Sequence, residues 1–238
     1  MAAAGVTAAA SLASTGLLVT PAVAAPPAPL RNDALKEALR RAEARHRCLA
    51  TGRPSANGWE MQKAVDADGD IVTCTVPGNG LTVALRRGDP TTVLIHVIRR
   101  FHYEVDALGK DGEPDTLAGW TAPSAVRDSR RPESNLASGT AVVIRPGSYP
   151  AGVRDGFTTG QQLTIRDILL EVEGVVRWGG DDRRPHEGLF YLAVPPGDTR
   201  LAKVAAKISA WAETPGVGAG ALSDPADPAR RSRAARYR

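Results

Sequence analysis

The residues of this chain whose side chains could do chemistry are few and widely spaced. Four histidines occur in 238 residues. His96 and His102 lie six positions apart, and side chains share one face of a helix at separations of three or four rather than six. His186 is the one histidine that directly precedes a carboxylate, that of Glu187. No two histidines are at a spacing typical of metal ligands, so we expect no metal site built on them.

The candidate nucleophiles lack the local pattern that would activate them. Ser138 lies in Ala-Ser-Gly-Thr rather than in the Gly-x-Ser-x-Gly turn of many serine hydrolases. Cys48 and Cys74, the two cysteines, carry no catalytic signature. In an exported protein they can form a disulfide that closes a loop of 25 residues, a constraint worth about 3 kcal/mol in the chain-entropy model. In a reducing compartment they are two unrelated thiols.

Hydrophobic periodicity predicts the elements that must position these residues. The strongest helix begins at Asp89 as its N-cap, and an apolar stripe with a period of 3.6 continues to Leu108. Another helix begins at a capping box of Thr159 and Gln162 and runs to Val172. Further helices are predicted over residues 32–47 and 200–212, and strands over residues 81–86, 140–145, 175–178 and 189–194.

Composition divides the chain into four segments. A hydrophobic content of 42% and a charged content of 24% are ordinary for a globular protein. Residues 1–25 carry no charge and include Ala22-Val23-Ala24, which matches the cleavage site of an export signal; an Ala-rich disordered tail is the alternative. Ser, Thr and Pro interrupt this run, so no membrane span is expected in the mature chain. We predict a linker and helix over residues 26–56, a folded domain over 57–212 and a disordered basic tail over 213–238.

The basic end of the chain is its main electrostatic feature. The segment RRSRAARYR, from Arg230 to Arg238, has five arginines and no acid, which exceeds the net charge of +4 of the whole chain. Such a tail can hold an anionic surface of the cell envelope, or it can simply be solvated. The body of the chain has no basic stripe interleaved with aromatic residues, so nucleic acid is not an expected partner.

Two stretches carry a recognisable pattern, SNLASGTAVVIRPGSYP (residues 134–150) and EGVVRWGGDDRRPHEGLFYL (residues 173–192). They resemble the D-alanyl-D-alanine carboxypeptidase (VanY-type) family of zinc-dependent cell-wall peptidases. The family pattern in the first stretch is Ser-x-His-x-x-Gly-x-Ala-x-Asp, which Ser134, Gly139 and Ala141 match. In the second stretch the family has a His followed by an aromatic residue. The resemblance extends over residues 57–194.

At the three positions where the family has its zinc ligands, this chain has aliphatic residues. Leu136 stands in place of the first His, Val143 in place of the Asp and Leu189 in place of the second His. A catalytic zinc needs three nitrogen, oxygen or sulfur ligands, and aliphatic side chains offer none, so no cofactor is expected. Glu187 stands where the family has its catalytic base. Without a metal-bound water this carboxylate has no proton to take.

The resemblance implies an α+β fold. The four predicted strands would form one small antiparallel sheet, with the helices that begin near Asp89 and Thr159 packed on one of its faces. It also implies a cleft for cell-wall peptides. The candidate cleft residues are Ser134, Ser138, Trp178, Asp181 and His186.

Three functions remain open from the sequence. The first is an exported, non-catalytic relative of the peptidoglycan carboxypeptidases that keeps the fold and a peptide-binding cleft. The second is an active zinc-dependent D-alanyl-D-alanine carboxypeptidase or peptidoglycan endopeptidase with a rebuilt metal site. The third is a structural or regulatory protein of the cell envelope that uses the former cleft or the arginine tail to hold a partner.

Overall fold

The computed structural model describes residues 32–110, 113, 115–214, 216–219, 221 and 224–237. The predicted export signal and residues 26–31 of the linker lie outside the described residues. The chain divides into two units, Met1–Ala38 and Leu39–Arg238. In the first unit, the described residues form the exposed first half of helix α1 (Asn32–Leu49), close to the predicted helix.

The second unit combines small antiparallel sheets with α-helices, so the predicted α+β class is confirmed at this level. None of the helices in the described part of the chain is long and apolar enough to cross a membrane. The strands are β1 (Ala50–Pro54), β2 (Glu60–Gln62), β3 (Ile71–Thr75), β4 (Thr82–Arg86), β5 (Leu117–Ala118), β6 (Ala141–Ile144), β7 (Val176–Trp178) and β8 (Leu189–Leu192). The remaining α-helices are α2 (Asp89–Arg100), α3 (Thr159–Glu171), α4 (Thr199–Ala212) and α5 (Pro228–Ala234).

The largest sheet has the strand order β5-β6-β8-β7 and is antiparallel throughout. Three of the four predicted strands lie in it. The predicted strand over residues 81–86 does not: it forms β4, which pairs with β3 in a separate hairpin. The other edge of β4 is joined to neighbouring segments by single hydrogen bonds, from Trp120 N to Ala84 O and from Arg86 N to Gly139 O, rather than by a ladder.

The helices cover one face of the four-stranded sheet. Val142 and Ile144 of β6 and Phe190 and Leu192 of β8 point to this face, and they form one buried core with α2, α3 and α4. Helix α2 contributes to this core through its apolar stripe. Four apolar residues of α2 are fully buried, and so is Phe101, which directly follows the helix; the four are Val93, Leu94, Val97 and Ile98.

The helix boundaries differ from the predicted ones in small ways that have local causes. Gly88, with φ of 85°, is the N-cap of α2, so Asp89 is already helical. The capping box of α3 is formed by Thr158 and Gln161, one residue earlier than predicted. After Arg100 the α-helix gives way to a π-helical turn (Phe101–Val105) instead of continuing to Leu108.

A buried cluster of charges joins α2 to α3. The guanidinium of Arg100, 1% exposed, donates to the carboxylates of Glu104, Asp167 (3.0 Å) and Glu171 (2.8 Å). Glu171 also bonds to Nε2 of His96 at 2.8 Å. Burial alone would raise the pKa of Glu171, but the contacts with His96 and Arg100 outweigh it and lower the pKa to about 2.

The end of the chain is folded, which corrects the prediction of a disordered tail for residues 224–237. Asp227 caps helix α5 by accepting from Ala229 N and Arg230 N, and Pro228 follows at the first helical position. Arg230 donates to both oxygens of Asp167, at 2.6 and 2.8 Å. Ala234 is buried. The composition of this segment suggested disorder, because composition does not show that Arg230 pairs with the buried carboxylate of Asp167 on α3.

We expect Arg100→Ala to lower the free energy of unfolding by about 3–5 kcal/mol, because it removes the buried guanidinium that the carboxylates of Glu104, Asp167 and Glu171 share. Denaturant unfolding followed by circular dichroism measures the change. Arg130→Ala is the matched control, since the Arg130 side chain is 91% exposed and its pair with Asp128 should contribute under about 1 kcal/mol. Equal effects of the two substitutions would contradict the structural role of the cluster.

Candidate functional site

The three positions that the resemblance assigns to zinc ligands lie together in space. Val143 of β6 and Leu189 of β8 are direct partners across the sheet. Their side chains point away from the helices and pack with Leu136, which ends the 3₁₀ turn Pro132–Leu136. We call this group the far-face cluster. Its members are Ala118, Leu136, Ala141, Val143, Leu189 and Tyr191.

Two glycines permit the close backbone approach that builds the far-face cluster. Gly139 has φ of 68°, and a Cβ atom there would lie 2.7 Å from Arg86 N. Gly139 N also donates to Leu136 O, which holds the turn before β6. At Gly179 a Cβ atom would lie 2.6 Å from His186 O and 3.0 Å from the Leu189 Cβ. These glycines keep their packing role although the aliphatic side chains offer no metal ligand.

The donor set of the far-face cluster does not fit a zinc ion. The Tyr191 hydroxyl is its one polar side-chain group, and this hydroxyl donates to Asp182 at 2.9 Å. Burial raises the pKa of Tyr191 and also that of Asp182. Among the described residues, no group of three or more His, Cys, Asp or Glu side chains could hold a metal ion.

Three histidines lie in three different environments. His96 is buried and pairs with Glu171 on the helical side of the molecule. His102 Nδ1 accepts from Leu108 N at 2.9 Å and so closes the π-helical turn. His186 Nδ1 is a buried atom. It lies 3.8 Å from Glu133 Oε1, and this distance is too long for a hydrogen bond. The proximity of His186 nonetheless lowers the pKa of Glu133.

Glu187 has a structural role that the sequence did not reveal. Its side chain is 5% exposed, and its two oxygens accept from Asp155 N at 3.0 Å and from Gly156 N at 2.8 Å. Both amides belong to the loop that precedes α3. The carboxylate therefore anchors this loop, which differs from the role of a residual base that the resemblance implies.

Trp178 and Asp181 both take part in structural contacts on the helical side of the sheet. Trp178 is part of the buried core on the helical face, and its Nε1 donates to Glu187 O at 2.6 Å. Asp181 forms a bidentate pair with Arg166 of α3, whose guanidinium lies 4.9 Å from the centre of the Trp178 ring. The alternation of side chains along β7 turns Trp178 to the same face as Phe190, its partner on β8.

Ser138 is also a structural residue. Its hydroxyl is fully buried and lies 2.9 Å from Ser55 Oγ and 2.8 Å from Thr140 Oγ1. Ser134 Oγ accepts from Ala56 N at 2.9 Å. These contacts tie the β1–β2 hairpin to the turn before β6, so neither hydroxyl is positioned as a nucleophile.

The two cysteines are free thiols, so the disulfide considered from the sequence is not formed. Cys48 is exposed near the end of α1. Cys74 lies in β3, with its Sγ 3.9 Å from Thr91 Oγ1. The two thiols therefore have separate surroundings.

A groove of about 520 Å³ adjoins the far-face cluster. Leu136 and Val126 contribute apolar surface, and of the five predicted cleft residues Ser134 lines this groove. Arg127 and Arg184 are exposed and form no ion pair with any described carboxylate. We refer to this space as the groove. Its lining residues are Thr121, Ala125, Val126, Arg127, Asp128, Arg131, Glu133, Ser134, Leu136 and Arg184.

The sequence reasoning missed the groove because most of its wall is irregular. Residues 121–131 have no hydrophobic period, so only a loop was predicted there. Arg184 comes from a separate loop that follows β7. Two unpaired arginines that lie far apart in sequence and meet at one groove become visible only in the folded chain.

Comparison with known proteins gives no further information on the family. No family model matches the chain, and no match was found among curated proteins or solved structures.

We expect Glu187→Ala to lower the free energy of unfolding by about 2–3 kcal/mol, because the backbone amides of Asp155 and Gly156 lose their charged acceptor. Hydrogen exchange should speed up at Asp155 and Gly156, and denaturant unfolding gives the energy. Glu187→Gln is the matched control, since its amide oxygen can still accept one bond. If Glu187→Ala leaves both exchange rates unchanged, the anchoring role is wrong.

Proposed function

We propose that this protein is an exported, non-catalytic relative of the VanY-type D-alanyl-D-alanine carboxypeptidases that binds cell-wall peptides at the envelope. One observation carries the proposal. Leu136, Val143 and Leu189 come from three separate segments of the chain, yet they pack in one cluster on one face of the sheet. Residues that replace the ligands of one metal ion must lie within a few ångströms of one another, and these residues do so.

The loss of catalysis follows from the chemistry of the replaced residues. A zinc peptidase polarises the scissile carbonyl with its metal and activates a water bound to that metal. Leu, Val and Leu cannot hold the metal, and the two oxygens of Glu187 are occupied by backbone amides. Neither the metal nor the base of that reaction is then provided by this chain.

The groove supports the retention of peptide binding. Its volume of about 520 Å³ lies in the range of small-ligand sites. An unpaired guanidinium binds a carboxylate through two parallel hydrogen bonds, and Arg127 and Arg184 are unpaired among the described residues. Leu136 and Val126 offer contact for small aliphatic side chains. A short peptide with small side chains and a free terminal carboxylate, such as a cell-wall peptide ending in D-alanine, fits these features.

We expect the full chain to bind a cell-wall pentapeptide that ends in D-alanyl-D-alanine, as measured by isothermal titration calorimetry. The double variant Arg127→Ala/Arg184→Ala should weaken binding at least about tenfold, because a hydrogen bond to a charged group contributes about 1.5–3 kcal/mol. Amidation of the peptide carboxyl group should weaken binding to a similar degree.

Arg40→Ala/Arg45→Ala is the control for the change of charge, since it also removes two positive charges, and both arginines are exposed on α1 and do not line the groove. It should leave the affinity unchanged. If neither the pentapeptide nor its amidated form binds, the peptide-binding part of the proposal is wrong. Equal affinity for the two forms would show that the arginines do not bind the carboxylate.

The position of the former metal site can be tested by restoring its ligands. We expect the triple variant Leu136→His/Val143→Asp/Leu189→His to bind one equivalent of zinc, measured by elemental analysis after dialysis. Without zinc the variant should unfold at a lower temperature than the wild type, because polar groups replace buried aliphatic ones. Added zinc should raise the melting temperature, since a ligand that binds only the folded state stabilises it.

The variant Leu136→His/Val143→Asp with Leu189 unchanged is the matched control, because it supplies two ligands in place of three. Its melting temperature should respond much less to zinc. A folded triple variant that takes up no zinc would contradict the assignment of these positions. One equivalent of zinc in the wild-type chain would replace the proposal with an active enzyme whose metal site has been rebuilt.

A further inference from the structure

The walls of the groove carry charges of both signs. The charged residues of its lining are three arginines and two carboxylates: Arg127, Arg131, Arg184, Asp128 and Glu133. The proposed binding of a peptide carboxylate uses Arg127 and Arg184 and leaves the acidic side of the groove without a role. A ligand that carries only negative charge would be attracted by the arginines and repelled by both carboxylates.

The two carboxylates of the lining have different surroundings. Oδ1 of Asp128 accepts from Arg130 N at 3.0 Å and from Arg130 Nε at 3.4 Å. Arg131 Nε lies 3.7 Å from Asp128 Oδ2. Asp128 therefore already has arginine partners within its own loop.

Glu133 has no such partner, because no described lysine or arginine forms an ion pair with its carboxylate. The nearest basic group is His186, whose Nδ1 lies 3.8 Å away and makes no hydrogen bond to it. The proximity of His186 lowers the pKa of Glu133, so this carboxylate is ionised at neutral pH. The Glu133 side chain is 29% exposed, which leaves it accessible to a ligand in the groove.

Asp182 lies close enough to Glu133 for their charges to interact. Its carboxylate accepts from the Tyr191 hydroxyl at 2.9 Å. Burial is the main cause that raises the pKa of Asp182, and the charge of Glu133 raises it further, whereas Arg177 acts in the opposite direction. A cation bound beside Glu133 would reduce the repulsion between these two carboxylates.

We propose that the groove selects a ligand with a primary ammonium group in addition to its carboxylate, and that Glu133 binds this ammonium group. Arg127 and Arg184 bind the carboxylate of the same ligand, so this inference rests on the proposed binding of a peptide at the groove. An ammonium group forms short, charge-assisted hydrogen bonds with a carboxylate.

The chemistry of lysine fits this requirement. Its flexible four-carbon stem allows the ammonium group to reach Glu133 from several positions along a peptide. Leu136 and Val126 then contact the small side chains that lie nearer to the carboxyl end. The ligand class is a short peptide with a lysine-like amino group close to a free carboxyl terminus.

Two simpler kinds of ligand fit the lining less well. A peptide without a basic side chain would displace water from the charged Glu133 carboxylate and offer it no partner, which is unfavourable. An inorganic anion such as phosphate would place further negative charge in the same groove of about 520 Å³ as Asp128 and Glu133.

The test compares two forms of one tripeptide, Nα-acetyl-lysyl-D-alanyl-D-alanine, by isothermal titration calorimetry with the full chain. In the second form the side-chain amino group of the lysine is acetylated as well, which removes its charge and leaves the terminal carboxylate unchanged. We expect the wild type to bind the first form at least about tenfold more tightly, as one hydrogen bond between charged groups can provide. In Glu133→Gln this preference should fall below about threefold, because the amide retains the size of the side chain without its charge.

The matched control is Asp128→Asn, which removes one negative charge from the same groove at a carboxylate that has arginine partners. It should keep the wild-type preference. Equal loss of the preference in both variants would reduce the effect to net charge and overturn the assignment to Glu133.

The comparison of the two peptides on the wild type needs no variant, so it stands even if Glu133→Gln does not fold. If both forms bind the wild type with equal affinity, the role of the ammonium group is wrong while the proposed peptide binding holds. If neither form binds, the proposed peptide binding fails and this inference fails with it.

Discussion

The pairing of β6 with β8 is the constraint on which the candidate site depends. In a strand, side chains alternate between the two faces, so the register that opposes Val143 to Leu189 also opposes Val142 to Phe190. The first pair builds the far-face cluster and the second pair packs beneath the helices. A slip of one residue would exchange the two faces. The large core on the helical face fixes this register, and the positions of Val143 and Leu189 on the opposite face follow from it.

A second constraint acts on the helical side, where charges are buried. Arg100 and Asp167 are almost fully buried, and such groups persist only when they are paired and hydrogen-bonded. Arg100 meets three carboxylates, which leaves Asp167 able to accept a further cation from Arg230. The fold of the last residues is thus linked to the packing of α2 on α3.

The sequence predicted the elements with strong periodicity and failed where contacts are non-local. The helices α2, α3 and α4 and the strands β6, β7 and β8 were predicted because each carries a clear apolar pattern. The prediction that β4 belongs to the same sheet as β6, β7 and β8 was wrong, since a strand's own residues do not specify which neighbour it pairs with. Trp178 and Asp181 were assigned to a cleft because the resemblance gave their order in the chain but not the face they occupy. Glu187 and Arg230 owe their roles to residues 31 or more positions away, and no local pattern records such pairings.

Under the proposed relationship to the zinc peptidases, the replacement of all three ligand positions by aliphatic residues has a physical logic. Val143 and Leu189 are almost fully buried, and Leu136 is partly buried. A carboxylate or imidazole at such a position costs several kcal/mol unless a metal or another charge compensates it. In an ancestral zinc site that lost one ligand and bound its metal poorly, the remaining two ligands would become uncompensated polar groups beside the sheet. Aliphatic residues at these positions then stabilise the fold, and each such change increases the cost of restoring any single ligand. Residues that contact one another in this way act non-additively. The far-face cluster is therefore best regarded as one cooperative unit, in which either a complete set of ligands with its metal or a complete set of aliphatic side chains is stable.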